Sequence, residues 1–379
     1  MRVFLIAGEP SGDALGQALM AGLKALVPDV QFSGVGGPLM CAEGMTSRFP
    51  MDELSVMGLA EILPKYRHLK RRIHETAQAV LDEKPDVLIT IDSPDFCLRV
   101  ARLVKAASSI RTVHYVAPTI WAWRSGRAKK MVGVIDQVLA LFPFEPPLMQ
   151  AAGVPCDFVG HPIATQPRAT SDDCAAFRAA HDLTDTPFVL LLPGSRRGEV
   201  SRMAPVFGET AAALARARPD LRFVLPAAGP VVQMVRELTA TWSQKPLILD
   251  PATTTPAKKR AAFAAADLAI AASGTVSLEL AAARTPMVIA YRMNPLTFAI
   301  IRRMAITDTV TLVNHVTDSR VVPEFLGPEC QASNIAPVAL SLLNAPGEQL
   351  EAMNLTMEQL GEGLEDPGMR AARAVLSRL

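Results

Sequence analysis

Short apolar runs alternate with helical stretches along this chain, and the alternation runs in two series. In the first, strands are expected at Val3–Ala7, Val30–Ser33, Val87–Ile91, Thr112–Val116, Val138–Leu141 and Cys156–Val159. Helices are expected at Ala14–Leu26, His74–Glu83 and Arg99–Ala107. The second series opens after Gly160-His161-Pro162, with strands at Phe188–Leu192, Arg222–Pro226, Leu247–Leu249, Leu268–Ala271 and Met287–Ala290. Helices at Pro205–Arg216, Val231–Thr239 and Ala257–Ala265 lie among them. Strands separated by helix-length crossovers pair in parallel, and such strands are covered on both faces, so they read as unbroken apolar runs. The expected fold is α/β, with two doubly wound Rossmann-like domains facing a cleft. Their bounds are set at residues 1–162 and 163–345, with the Pro-rich Ile163–Arg168 as hinge and a helical segment at 346–379 expected to pack on the N-terminal domain of the same or a partner chain.

Composition narrows the function. A net charge of +1 lacks the broad basic field that a general nucleic-acid binder needs. The five cysteines are odd in number and none are paired at metal-ligand spacing, which fits a reducing cytoplasm. The apolar N-terminal run stops at Gly8-Glu9-Pro10, unlike a signal peptide, and no segment has the uninterrupted apolar length of a membrane span.

In open parallel sheets, ligands bind beyond the carboxyl ends of the strands. The loop after the first strand is Gly8-Glu9-Pro10-Ser11-Gly12-Asp13. It lacks G-x-G-x-x-G and the Lys-Ser/Thr of a P-loop, and its carboxylates would repel a diphosphate. Ser11 or Asp13 is expected to cap a helix starting near Ala14. The loop Leu192–Glu199 differs: Gly194 allows a tight turn, Ser195 offers amides, and Arg196 or Arg197 supplies positive charge. A second phosphate-suited loop is Ser273-Gly274-Thr275, and Glu279, a turn further on, is placed to bind a ribose diol. Asp92, in Ile91-Asp92-Ser93-Pro94-Asp95, ends a buried strand, where a carboxylate either accepts a proton, binds a metal or caps the next helix. Trp121, Trp123 and Arg124 suit a sugar phosphate or amphiphile as well as a core.

Leu59, Ile62, Leu63, Tyr66, Leu69 and Ile73 recur at helical spacing, interleaved with Lys65, Arg67, Lys70, Arg71 and Arg72. Such a segment either lies on an anionic membrane or faces a core, and Pro64 is expected to kink or restart it. His161, near the domain junction, is read as structural.

Together, IAGEPSGD, IDSPDF, HYVAPTIWAWR, FPFE, VGHPIA, LLPGSRRGEV, ASGTVSLE, PMVIAYRMNPLTF and PEFLGPECQ occur in order through nearly the whole chain. In this the sequence resembles the lipid-A-disaccharide synthases, glycosyltransferases of the GT-B architecture. The resemblance implies inverting transfer of 2,3-diacylglucosamine from UDP to the 6-hydroxyl of 2,3-diacylglucosamine 1-phosphate (lipid X), giving a β-1,6 disaccharide 1-phosphate and UDP. It implies no metal or other cofactor. It implies a place at the cytoplasmic face of the bacterial inner membrane, peripherally bound, and a possible homodimer through the C-terminal region. By the same resemblance Asp92 is the base and Arg196 steadies the diphosphate. Ser195, Ser273, Gly274, Thr275, Glu279, Asn314 and Gln331 contact the UDP-sugar, and Arg197, next to Arg196 in the same loop, is an alternative partner for the diphosphate. Ser11, Asp13, Ile62, Tyr66, Arg67, Leu69, Lys70, Arg71, Trp123 and Arg124 face acceptor and membrane. Arg197 stands where the family has a small residue, and Val316–Pro323 departs from its pattern. Rival readings are a UDP-N-acetylglucosamine 2-epimerase or other UDP-sugar enzyme of this fold, and a nucleotide-binding protein without turnover.

Overall fold

The computed structural model describes residues 1–54, 59–119, 121 and 126–379; within these, the side chains of 59–65, 296, 300 and 301 are not described. The chain divides into two compact units. The first comprises Met1–Thr165 and Leu360–Leu379, the second Gln166–Gln359.

The first unit holds a six-stranded sheet of β1 (Arg2–Ala7), β2 (Gln31–Val35), β3 (Val87–Ile91), β4 (Arg111–Tyr115), β5 (Gln137–Ala140) and β6 (Cys156–Phe158). The order is β2-β1-β3-β4-β5-β6 and every pairing is parallel. All five residues of β3 are buried, which is why it reads as Val-Leu-Ile-Thr-Ile with no polar alternation. The order reverses direction between β1 and β3, so the crevice of this sheet opens beyond Ala7 and Ile91.

The second unit repeats the plan with β7 (Phe188–Leu192), β8 (Arg222–Pro226), β9 (Leu247–Leu249), β10 (Leu268–Ala271), β11 (Met287–Tyr291) and β12 (Glu324–Leu326). Its order is β12-β11-β10-β7-β8-β9, again parallel throughout. Its switch point lies between β7 and β10. Each sheet packs its flanking helices through its own core cluster, one around Phe4, Leu88 and Val100, the other around Val189, Phe207 and Ile270.

Three sequence expectations change. The first helix begins at Pro10, not near Ala14, because Pro10 sits at its first turn, where a missing N–H costs nothing. One helix runs Leu59–Glu83 across Pro64. Pro64 lies in the second turn and removes a single ladder bond, to the residue-60 carbonyl, and the rest of a 25-residue helix carries the element through. The 346–379 segment is shared between the units. Helix Gln349–Gln359 belongs to the second, where Gln349 Oε1 accepts from the Met287 amide at 2.9 Å and its Nε2 donates to the Met287 carbonyl at 3.1 Å. Helix Pro367–Leu376 packs on helix Pro10–Leu26 of the first unit. There Gln137 Nε2 donates to the Ala374 carbonyl at 2.9 Å and Arg378 pairs with Asp157 at 2.6 Å. No helix among the described residues is long and apolar enough to cross a membrane.

Candidate active site

At the first switch point the loops after β1 and β3 touch. Gly8 is required there, since a Cβ on it would stand 2.5 Å from Ser93 Oγ. Asp92 and Ser93 both hold positive φ, 50° and 43°, and Val116 after β4 holds 81°, an outlier for a β-branched residue. Backbone strain of this kind gathers at functional loops, where the surrounding structure holds it in place. Two bonds do so here: the Asp92 amide donates to the Tyr115 carbonyl and the Val116 amide to the Leu139 carbonyl, each at 2.9 Å. The Asp92 carboxyl is half-buried. Burial raises its pKa above the ordinary aspartate value, and the bond from the Ser93 amide offsets part of that rise. A partly desolvated carboxylate at a crevice is a stronger base than a solvated one.

Asp13 has a different task. It is 2 % exposed, and its carboxylate accepts from the amides of Gly37 at 2.9 Å, Leu39 at 3.0 Å and Met40 at 3.0 Å. It therefore caps the helix Pro38–Ala42 rather than its own, and its charge is spent inside the fold rather than on an acceptor. Ser11, one helical position past Pro10, is exposed.

The second switch point carries a pocket of about 610 Å³. Its walls come from the loop after β7, with Gly194, Ser195 and Arg196, and from the loop after β10, with Ser273, Gly274 and Thr275. Gly194 and Gly274 have φ of 111° and 137°, which turns both backbones sharply into helix N-termini. Helix Arg197–Ala217 starts directly after Arg196, and helix Val276–Ala283 after Thr275. The Thr275 side chain makes no capping bond. Glu199 reaches back: its Oε2 accepts from the Ser195 amide at 3.3 Å, and its Oε1 is 3.8 Å from Arg196 Nη1. Arg196 lines the pocket, whereas Arg197 is exposed outside it. Glu279 also lines it and pairs with Lys259 at 2.5 Å, with the Lys259 ammonium 5.0 Å from the Phe263 ring centroid. Lys259, Phe263 and the Pro226–Ala228 turn were not among the sequence candidates. Pro226–Ala228 follows β8, so the carboxyl-edge rule alone would have found it.

Two candidates lie elsewhere. Asn314 is fully buried; its Nδ2 donates to the Val322 carbonyl at 2.9 Å and its Oδ1 accepts from the Val322 amide at 3.0 Å. It fastens the helix Leu312–Thr317 to the segment that leads into β12 and does not line the Arg196 pocket. Gln331 caps the helix Ala332–Asn344 by position, and its Nε2 donates to the Pro328 carbonyl at 2.7 Å, also outside that pocket.

On helix Leu59–Glu83, Leu69 and Ile73 pack on the first unit's core, whereas Tyr66, Arg67, Lys70 and Arg71 are exposed. Arg71 meets Glu75 at 3.5 Å and His68 Nδ1 at 3.0 Å. Arg72 and His68 both reach Glu53, whose pKa falls to about 2, chiefly through the Arg72 hydrogen bonds. Trp123, Arg124 and the Ile62 side chain lie outside the described residues. His161 is held neutral: burial lowers its pKa to about 4, and its Nδ1 accepts from the Ile163 amide at 3.1 Å.

The sequence profile of the family described as Lipid-A-disaccharide synthetase matches residues 3–376. The chain belongs to that family. Lipid-A-disaccharide synthase of Ruegeria pomeroyi is 63% identical over 100% of this chain and 96% of its own length. That of Rhodospirillum centenum is 46% identical over 99% and 94%. As a member of the lipid-A-disaccharide synthetase family, the protein is an enzyme, a glycosyltransferase of lipid A synthesis. More distant solved structures share its fold. UDP-GlcNAc 2-epimerase from Neisseria meningitidis, bound to UDP-GlcNAc, superposes with a TM-score of 0.64 at 12% identity, covering 100% of this chain and 99% of that one. A glycosyltransferase from Rickettsia africae does so with 0.59 at 12%, covering 100% and 97%. The two-sheet architecture of the synthetase family is thus the GT-B arrangement of paired Rossmann-like sheets.

Proposed function

We propose that the enzyme transfers 2,3-diacylglucosamine from UDP to the 6-hydroxyl of 2,3-diacylglucosamine 1-phosphate, with inversion at the anomeric carbon. The observation that carries this reading is the single pocket in which two glycine loops, two helix N-termini, Arg196 and Glu279 converge. The amides after Gly194 and Gly274 and the Arg196 guanidinium receive the diphosphate, where a helix N-terminus favours negative charge. Glu279, steadied by Lys259, accepts hydrogen bonds from the ribose diol. Ser195, Ser273 and Thr275 add hydroxyl contacts to the phosphates.

Asp92 is the base. The acceptor oxygen attacks the anomeric carbon, its proton passes to the Asp92 carboxylate, and the bond from that carbon to the phosphate oxygen breaks. UDP leaves with the electron pair. The charge that develops on the leaving oxygen is what Arg196 and the helix N-termini stabilise. A single displacement of this kind inverts configuration, so an α-linked donor gives a β-linked product. Ser11, exposed beside the Asp92 loop's neighbour Gly8, contacts the acceptor.

The enzyme is peripheral to the membrane, and the exposed Tyr66, Arg67, Lys70 and Arg71 make the contact with anionic lipid. Purified protein given UDP-2,3-diacylglucosamine and lipid X in detergent is expected to form a disaccharide 1-phosphate by mass spectrometry, β-linked by NMR coupling. An α-linked product, or donor hydrolysis without disaccharide, refutes the reading.

A further inference from the structure

The carboxyl edge of the second sheet carries another pocket, of about 740 Å³. It lies beyond β11 and β12, where Tyr291 and Leu326 end their strands, while the Arg196 pocket lies beyond β7, β8, β9 and β10. Because all six strands are parallel, both pockets open on the same edge of one sheet. One wall is the helix Pro295–Met304. Its Phe298 ring lies against Gly327, where a Cβ would stand 2.7 Å from the ring, and so fixes the helix beside the end of β12.

The lining is mixed, with one set of apolar side chains and a set of polar ones. Met293, Phe298, Ala305, Val310, Val322 and Leu326 supply apolar wall. Several polar groups of the lining have partners within the fold. Asp308 pairs with Arg320. Glu324 accepts from the Thr309 hydroxyl at 2.5 Å and the Thr311 amide at 2.8 Å. Asn314 is held by Val322. The remaining charged groups of the lining, Arg302 and Glu329, are exposed. A hydrocarbon chain laid on the apolar wall leaves these bonds intact and removes its own surface from water. On either side of Ala305 in the chain, Met304 and Ile306 are 46% and 61% exposed.

We propose that this pocket holds an acyl chain of the donor whose diphosphate occupies the Arg196 pocket. The proposal rests on the donor assignment made under Proposed function. It gives the second unit two subsites on one sheet edge, one for the nucleotide and one for the hydrocarbon.

The test compares two donors, long-chain UDP-2,3-diacylglucosamine and its 2,3-diacetyl analogue, in the wild-type enzyme and in Ala305→Phe. The phenyl group fills pocket space, so kcat/KM for the long-chain donor should fall about tenfold relative to the acetyl donor, equivalent to displacing roughly two methylenes. The Kd for UDP should stay within about twofold, which also shows that the variant is folded. If UDP binding is lost, Val310→Phe fills the same pocket from another segment, and the same ratio is read. An unchanged long-to-short ratio in a variant that binds UDP overturns the acyl site alone. A wild-type enzyme that binds UDP but transfers neither donor overturns the donor assignment, and the acyl site with it.

Discussion

Asp13→Ala separates a structural carboxylate from one that works on substrate. In the wild-type chain the carboxylate satisfies three amides, of Gly37, Leu39 and Met40. Gly37 and Met40 are buried, while Leu39 is exposed and its amide can turn to water. A hydrogen bond to a charged group contributes about 1.5–3 kcal/mol, and a buried donor left unmatched costs about 1–3 kcal/mol. Two stranded amides and one resolvated amide therefore give a loss of about 3–5 kcal/mol, at the high end for a point mutation. At roughly 2–4 °C per kcal/mol for a unit of this size, Tm should fall by roughly 6–20 °C. Asp13→Asn keeps one carbonyl oxygen for the Gly37 and Met40 amides but sets an NH₂ against the Leu39 amide, so its loss should be smaller, about 1–2 kcal/mol. The assay is thermal unfolding by circular dichroism, paired with acceptor KM at 20 °C or below, where the folded fraction is intact. A Tm within 2 °C of wild type together with a raised acceptor KM would refute the capping argument.

Three further outcomes follow from the site. Arg196→Ala should raise the Kd for UDP roughly 10- to 100-fold, the loss of one charge-assisted contact, while Arg197→Ala should change it less than about threefold; calorimetric titration compares them. Asn314→Ala strands the Val322 amide and carbonyl in the interior, so urea unfolding should show a loss of about 2–4 kcal/mol with the Kd for UDP unchanged. The rate should depend on pH through Asp92. The base acts when deprotonated and burial raises its pKa, so kcat/KM should fall with falling pH through a midpoint above the ordinary aspartate value of about 3.9.

The architecture was legible because buried parallel strands leave a plain mark. Phe188–Leu192 is an unbroken apolar run and Val87–Ile91 is apolar but for Thr90; all their residues are buried and both are central strands. β12 was missed since Glu-Phe-Leu is short and opens on a charge, whereas the equally short edge strand β9 is the all-apolar Leu-Ile-Leu. The two glycine turns were readable from local spelling: Gly194 and Gly274 hold positive φ and both line one pocket. Local spelling could not choose between Arg196 and Arg197. That choice depends on where the helix begins, and Arg196 is the N-cap residue that turns into the pocket. Nor could it say which helix Asp13 caps, because its partners lie 24 to 27 residues away on another loop. Asn314 and Gln331 came only through family likeness, and neither lines the Arg196 pocket: Asn314 is buried and bonded to Val322, and Gln331 is exposed at a helix N-cap. Lys259 escaped notice because its partner Glu279 is 20 residues further on, and only the fold of β10 brings the two together.

The most direct test of the account is the rate of acceptor-dependent UDP release by Asp92→Asn in single-turnover conditions, with donor affinity measured on the same preparation. If Asp92 takes the acceptor proton, the chemical step should slow by roughly 10²- to 10⁴-fold while the donor Kd stays within about twofold, and the acid limb of the pH profile should vanish. A variant that releases UDP and forms disaccharide at the wild-type rate would contradict the central claim.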